Sequence, residues 1–421
     1  MNRNLAGWLD YQQRTHPQAI AMGLERVRAV AERLGLGRPG RFVITVAGTN
    51  GKGSTVAFIE AIARAAGWKV GAFTSPHLLR YNERVRVDGE EASDQLLCDA
   101  FEAIEDARGE IPLTYFEFGT LAALLIFERA GLDLAILEVG LGGRLDAVNI
   151  VDPDVAVITS VAIDHQEYLG DDRETIGSEK AGILRAGKPC VLAEKDPPSS
   201  VLRRAYELGA YAIRGHADYL IDVTEDGWRW REPGFELDLP MPALAAPAQL
   251  ENAAAAIAAV RALPVDVPTD AFVQGIASAR LPGRLQKIAD APEIVVDVGH
   301  NPQAVGQVVA WLLLHPRPTR AVFAALADKD VEAMVRIIDP EIVHWHLAEL
   351  ADAGPRGQSV AALAERVATA TAVPIDRHAS VAEALAAARA ACSPTERVLV
   401  FGSFHTVAEA LVANATGPRR V

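Results

Sequence analysis

Short Val-, Ile- and Leu-rich runs alternate with longer stretches of helical spacing almost from end to end of the chain. The runs at 42–47, 69–73, 134–139 and 155–159 lack the alternation of a half-solvated strand and are bounded by Gly, Ser or Asp, so they predict strands buried on both faces. Helices are expected over 54–66, 93–108, 116–130 and 174–184, where apolar residues recur at helical spacing and Ser93 can serve as an N-cap. Strands alternating with helices predict an α/β fold, a mostly parallel sheet with helices packed on both faces.

Residues 219–239 break this rhythm. Their positions alternate around Asp226-Gly227, a dipeptide that favours a tight hairpin turn, and predict a small antiparallel annex. An Ala-rich helix over 252–262 and another over 269–278 follow, and then Leu281-Pro282-Gly283-Arg284 interrupts the pattern. A domain boundary is placed there, giving domains 1–282 and 283–421. The second begins a new α/β series of its own: strand 293–298, helix 302–314, strand 320–324, helix 331–338 and strand 397–401. No repeat of 20 to 50 residues is evident.

Composition narrows the function. A chain of 421 residues predicts two or three domains, and 41 basic against 55 acidic side chains leave a net charge of −14. Such a balance disfavours nucleic acid or an anionic membrane as partner, while leaving room for a local phosphate pocket. Cys98, Cys190 and Cys392 are widely spaced and form no C-x-x-C pair, which points to a reducing compartment. With no leader-like start and no apolar run of membrane-spanning length, a cytoplasmic protein is expected.

The strongest chemical signal is Val46-Ala47-Gly48-Thr49-Asn50-Gly51-Lys52-Gly53-Ser54, between a buried strand and a helix. Backbone N–H groups of such a turn can close around a phosphate while the lysine reaches the outer phosphates, although the strict G-x-x-x-x-G-K-[ST] pattern fails at Val46 and Gly53. The bland alternative is a structural glycine turn. Thr74-Ser75-Pro76-His77, Glu138 with Gly140-Leu141-Gly142-Gly143-Arg144, and Asp164-His165 each follow a strand, and the ends of parallel strands are where a ligand crevice forms. Ser75 and Glu138 can offer oxygen to Mg²⁺ and His165 a nitrogen, or Glu138 simply reaches solvent and His165 is a structural hydrogen-bonder. Lys180, on a helix, reads by default as a solvated lysine. In the second domain, Asp297-Val298-Gly299-His300-Asn301-Pro302 can meet ribose or adenine through Asp297 and the reacting phosphates through His300 and Asn301, or it is only an Asn-Pro turn and helix cap. Ser403 and His405 repeat the strand-to-loop logic.

Taken together, 48–54, 74–77, 137–146, 164–165, 281–284 and 297–302 resemble, in order and spacing over nearly the whole chain, the bifunctional dihydrofolate synthase/folylpolyglutamate synthase family, relatives of the Mur ligases. The resemblance implies a P-loop-containing Mur-ligase-like N-terminal domain and a smaller Rossmann-like C-terminal domain for glutamate ligation. It also implies that Thr49, Asn50, Gly51 and Lys52 bind ATP with Asn252, Arg284 and Asp297, that Ser75, Glu138 and His165 hold one or two Mg²⁺ ions, and that Lys180 is carboxylated. Lys52, Lys180 and His300 would then serve the reaction, and Ser403 and His405 the glutamate site. Pterin binding falls to Arg14, Thr15, His16 and Pro17, to Thr114, Tyr115, Phe116 and Glu117, and to Leu145, Asp146 and Ala147. Gly299 stands where the family usually has Ala, and Arg14-Thr15 differ from the residues that relatives carry before the histidine.

The expected reaction is ATP-dependent: a pteroate or folate carboxylate is activated as an acyl phosphate and joined to L-glutamate, in a cleft expected between the domains. Dihydropteroate, tetrahydrofolate and other folates are the expected substrates, and a monomer the expected state. A Mur-type peptide ligase and a nucleotide-hydrolysing switch are the rival readings. The segment Thr114-Tyr115-Phe116-Glu117 favours folate over the first, and the lack of a guanine-reading N-K-x-D segment speaks against the second.

Overall fold

The computed structural model describes residues 3–16, 20–350 and 353–416, and the chain divides into two compact units, residues 1–243 with 249–280 and residues 244–248 with 281–421. The first unit is built on eight strands: β1 Phe42–Ala47, β2 Val70–Phe73, β3 Val85–Val87, β4 Glu90–Glu91, β5 Leu134–Glu138, β6 Val155–Ile158, β7 Pro189–Leu192 and β8 Tyr211–Arg214. They run in the order β4-β3-β2-β5-β1-β6-β7-β8, parallel from β2 through β8, with β3 and β4 antiparallel at one edge.

The register decides where the chemistry gathers. Val46 of β1 lies opposite Glu138 of β5, Phe73 of β2 opposite Leu137, and Ala47 opposite Ile158 of β6. The loops after β1, β2, β5 and β6 therefore leave from one edge of the sheet.

Helix Lys52–Ala65 follows β1 and is buried along most of its length, with Val56, Phe58, Ile59 and Ile62 inaccessible to solvent. It packs on helices Gln249–Arg261 and Thr269–Ser278. Close approach is possible because the first of these is nearly all alanine where it is buried, and because Gly275 of the second lies against the Ile62 backbone where a β-carbon would not fit. The annex is antiparallel, with β9 Leu220–Val223, β10 Trp228–Glu232 and β11 Phe235–Leu239 in the order β11-β10-β9. Buried Trp230 stacks on Tyr219 at 5.6 Å and donates its ring N–H to the Ala254 carbonyl at 3.2 Å, which ties the annex to the alanine-rich helix.

The second unit carries β12 Gln286–Asp290, β13 Glu293–Asp297, β14 Thr319–Phe323, β15 Ile342–Ala348, β16 Ile375–His378 and β17 Arg397–Phe401, ordered β12-β13-β17-β14-β15-β16 with only β12 antiparallel. Phe323, Trp345, Leu399 and Phe401 lie in its core. Asp297, Phe401 and Phe323 stand level across three adjacent strands, so the loops after β13, β17 and β14 also share an edge.

The α/β class and both parallel sheets agree with the sequence reading, with differences at particular elements. The 174–184 helix ends at Lys180 and continues as a 3₁₀ turn over Ala181–Ile183. Asp226-Gly227 does not form a two-residue turn: it ends a four-residue connection between β9 and β10, and the two-residue turn is Pro233-Gly234, where Gly234 adopts φ +79°. Among the described residues no helix is long and apolar enough to cross a membrane.

Candidate active site

The segment 48–51 is a tight loop held from the neighbouring strand. Thr49 donates its backbone N–H to the Ser160 carbonyl at 2.8 Å and its hydroxyl to the Ala162 carbonyl at 3.0 Å, while the Thr159 hydroxyl donates to the Asn50 carbonyl at 2.6 Å. Gly48 (φ +153°) leaves no room for a β-carbon beside the Thr159 hydroxyl, and Gly51 (φ +87°) none beside Asn252 Oδ1, so both glycines are required twice over, by conformation and by space. Lys52 opens the helix and curls its ammonium back onto the Gly48 and Thr49 carbonyls at 3.0 and 3.2 Å. A half-buried cation at a helix N-terminus, behind a tight glycine loop, makes an anion site suited to phosphate.

Beside this loop, Ser75 donates its backbone N–H to Glu138 Oε2 at 3.1 Å, and Glu138 is buried at the end of β5. Two oxygen-bearing side chains next to a phosphate loop match the donors that Mg²⁺ prefers. Asp164 and His165 leave the same sheet edge after β6. The Asp164 carboxylate accepts the His165 N–H at 2.9 Å, and His165 has a left-handed φ of +52°, strain of a kind concentrated at functional sites. Behind them a buried Arg86–Glu60 pair at 2.7 Å also reaches Thr74, with Arg86 Nη1 donating to its hydroxyl at 3.2 Å.

Lys180 does not face solvent, the default expectation for a lysine on a helix. It is 3% exposed, and burial, reinforced by the charge of Lys52, pulls its ammonium down to about 7, against the opposing pull of Asp164 and Asp146. Asp146 is buried too, and burial pushes its carboxyl up to about 7 although the Leu141 and Val148 N–H groups donate to it at 2.8 and 3.1 Å. The glycines before it explain the close packing: a β-carbon on Gly143 would stand 2.9 Å from the Glu179 carbonyl, and one on Gly140 2.6 Å from the Phe116 ring.

The proposed pterin residues divide by exposure. Phe116 and Tyr115 are half-buried, with Phe116 tilted against Phe73 at 5.8 Å, and Leu145 is half-buried. Thr114 and Glu117 are buried in a capping box: Glu117 Oε2 accepts the Thr114 N–H at 2.8 Å, the Thr114 hydroxyl accepts the Glu117 N–H at 3.2 Å, and Glu117 also pairs with Arg26 at 3.0 Å. Ala147 is buried, Arg14 is exposed and paired with Asp10, the Thr15 hydroxyl donates to the Tyr11 carbonyl at 2.8 Å, and His16 ends the first helix. Pro17 lies outside the described residues.

In the second unit, Asp297 is buried at the end of β13. Its carboxylate accepts the Leu285 N–H at 2.9 Å and the Gly299 N–H at 2.7 Å, and burial raises its pKa against the opposing charge of Arg284. Arg284 lies over the Phe404 ring at 5.4 Å and His300 lies 6.2 Å from the same ring, so Arg284, His300 and Phe404 form one cluster. Asn301 caps helix Pro302–Leu314 through the Ala304 N–H at 2.9 Å. Ser403 is buried, accepting the Thr406 N–H at 3.0 Å, whereas His405 is exposed.

Within the first unit the structure thus brings Thr49, Asn50, Gly51, Lys52 and Asn252 together, sets Ser75 beside Glu138, and joins Lys52, Lys180, Asp146 and Asp164 through their charges. Sequence reasoning missed Thr159 and Ser160, which hold the loop. Their one signal is position, directly after a strand that flanks the phosphate-loop strand.

The Mur ligase middle domain matches residues 46–260 and the Mur ligase glutamate ligase domain residues 283–404. Dihydrofolate synthase/folylpolyglutamate synthase of Escherichia coli (strain K12) is 46% identical over 410 residues, 97% of this chain and 94% of its own length. The solved structure of E. coli FolC in complex with DHPP and ADP shares 46% identity at a TM-score of 0.93, over 98% of each chain. A bifunctional folylpolyglutamate synthase/dihydrofolate synthase with Mn, AMPPNP and L-glutamate bound shares 45% at a TM-score of 0.90, again over 98% of each chain. With both domains matched and identity sustained over almost the whole length, the chain belongs to the dihydrofolate synthase/folylpolyglutamate synthase family of the Mur ligases.

Proposed function

We propose that the chain is an ATP-dependent amide ligase that adds L-glutamate to dihydropteroate, forming dihydrofolate, and to tetrahydrofolate and other folates, lengthening their glutamate tails. The observation that carries this reading is the phosphate loop of 48–52, packed at one sheet edge with Glu138, Ser75 and the Lys180–Asp146 pair. A carboxylate is a poor acyl donor. Its oxygen attacks the γ-phosphorus of ATP and ADP leaves; the glutamate amine then attacks the acyl carbon, phosphate departs and the amine gives up a proton. Lys52 and the loop amides draw off charge from the transferring phosphoryl group, and positioning brings two anions together. Ser75, Glu138 and His165 would hold Mg²⁺, which supplies further neutralisation of phosphate charge.

Lys180 has a second role in this reading. An amine that titrates at about 7 is substantially neutral at physiological pH, the form that attacks CO₂ to give a carbamate and a proton. The anionic carbamate would hold a second Mg²⁺ and answer the charge of Lys52. Residues 1–282 act as the ATP-binding domain with the pterin site at Phe116, Tyr115 and Leu145, and residues 283–421 as the glutamate-ligase domain, with Arg284, Asp297 and His300 on the nucleotide. The setting is the cytoplasm, where free cysteines persist.

The test is ADP release by the purified protein with Mg²⁺ and L-glutamate, run in parallel with dihydropteroate and with tetrahydrofolate. Turnover with both is expected, strictly dependent on glutamate. ADP release without a folate would identify a nucleotide-hydrolysing switch, and turnover only with a nucleotide-linked peptide a peptide ligase.

A further inference from the structure

At the outer end of the second sheet, β15 and β16 present three histidines and an aspartate to one another. His346 stands opposite Asp376 in the register and Ala348 opposite His378. Since side chains on one face recur every second residue, His344 and His346 share a face with Asp376 and His378. His344 Nε2 lies 2.9 Å from Asp376 Oδ2, His346 Nδ1 lies 3.9 Å from the same oxygen, and His346 Nδ1 lies 3.2 Å from His378 Nε2. We infer that His344, His346 and Asp376, with His378 beside His346, bind one divalent transition-metal ion of the Zn²⁺ class.

The spacing supports this. Donors held about 2.0–2.1 Å from a tetrahedral ion are themselves about 3.3 Å apart, and the separations of 2.9 and 3.9 Å from Asp376 Oδ2 bracket that value. One donor atom from each of His344, His346 and Asp376 lies within 4.8 Å of the other two, so a small adjustment of side chains closes the set. Two imidazoles and one carboxylate, with a third imidazole next to them, suit Zn²⁺, Co²⁺ or Ni²⁺, and are a poor match for Mg²⁺, which takes oxygen.

The surroundings agree. His346 is 2% exposed while Asp376 is open to solvent on the terminal strand, giving a fixed inner ligand and an accessible outer one. Arg320 stands opposite His344 in the register, and its charge is met by Glu396 at 3.4 Å.

The experiment uses the full-length protein stripped with EDTA and titrated with Zn²⁺ by calorimetry, with Mg²⁺ saturating throughout, and with Co²⁺ followed by its visible absorption. One equivalent should bind, with a tetrahedral Co²⁺ spectrum. Affinity should drop by at least about tenfold in His344→Ala and in Asp376→Asn, two positions open enough for the fold to survive, and stay unchanged in Glu138→Gln. No stoichiometric binding, binding untouched by both substitutions, or binding lost in Glu138→Gln would each overturn the assignment.

Discussion

Gly51 and Asn252 meet with no room to spare: a β-carbon on Gly51 would run into Asn252 Oδ1. Gly51→Ala must therefore displace the loop or the carboxamide, and it also forces a residue with a β-carbon to hold φ +87°. Turnover should fall by about 100-fold or more with a raised KM for ATP, because misplacement of a phosphate-binding loop by about an ångström costs that much. Circular dichroism should show the fold intact. A variant with normal kinetics would mean that the loop does not touch the nucleotide.

Lys52→Ala removes the cation at the start of the helix and its two bonds to the loop carbonyls. A loss of about 10²–10³ in kcat is expected from the missing charge at the phosphoryl group. Measured kcat close to wild type would sink the assignment.

Stability should carry a pH signature from Lys180 and Asp146. Asp146, raised from 3.8 to about 7, is protonated in the folded protein and ionised in the unfolded chain between those values, so stability falls as pH rises through that window. In CO₂-free buffer, where Lys180 stays a free amine, its fall from 10.5 to about 7 leaves it neutral when folded and charged when unfolded above 7, so stability rises from there towards 10.5. Each full window has a slope of about 1.4 kcal/mol per pH unit. Tm measured from pH 5 to 9 should show the falling limb flattened in Asp146→Asn and the rising limb flattened in Lys180→Met. Identical profiles for all three proteins would contradict both shifts.

Glu138→Gln keeps an acceptor for the Ser75 N–H while removing the charge. The Mg²⁺ concentration for half-maximal rate should rise by about tenfold, and His165→Ala should move it in the same direction. An unchanged metal titration in both variants would place the ion elsewhere.

Phe116 offers a half-buried ring beside Phe73 and Gly140. Dihydropteroate carries its carboxylate on the benzoate ring, whereas folate presents a glutamate carboxylate several bonds further out, so one reactive centre serves both only if the pterin rests in different places. Phe116→Ala should raise KM for dihydropteroate much more than for tetrahydrofolate. Equal losses would point to a shared pterin site or to a purely structural ring.

Continuity of apolar residues made β1, β2, β5, β6, β13, β14 and β17 legible from sequence, since each is buried on both faces. It hid β8 and β16, which lie at sheet edges and carry Arg214 and Asp376-Arg377-His378, and β15, whose apolar run is broken by His344 and His346. The phosphate loop was legible because its glycines answer a local backbone demand. The burial of Lys180 was not, because a lysine on a helix is solvated by default; here it lies one turn after buried Ile176, and 143–144 pack against 179–182. Thr159 and Ser160 become loop partners only once β6 lies beside β1.

Helix Lys52–Ala65 finds its packing partners in helices that the chain reaches about 200 residues later. On a ribosome adding roughly 5–20 residues per second, the loop of 48–52 exists for roughly 10–40 s before Asn252 can be made to back it. A nascent chain therefore has the phosphate-loop sequence without its phosphate-loop shape. Nucleotide binding should switch on late in synthesis, only after the alanine-rich helix has docked, so truncated products of interrupted translation neither trap nor hydrolyse ATP.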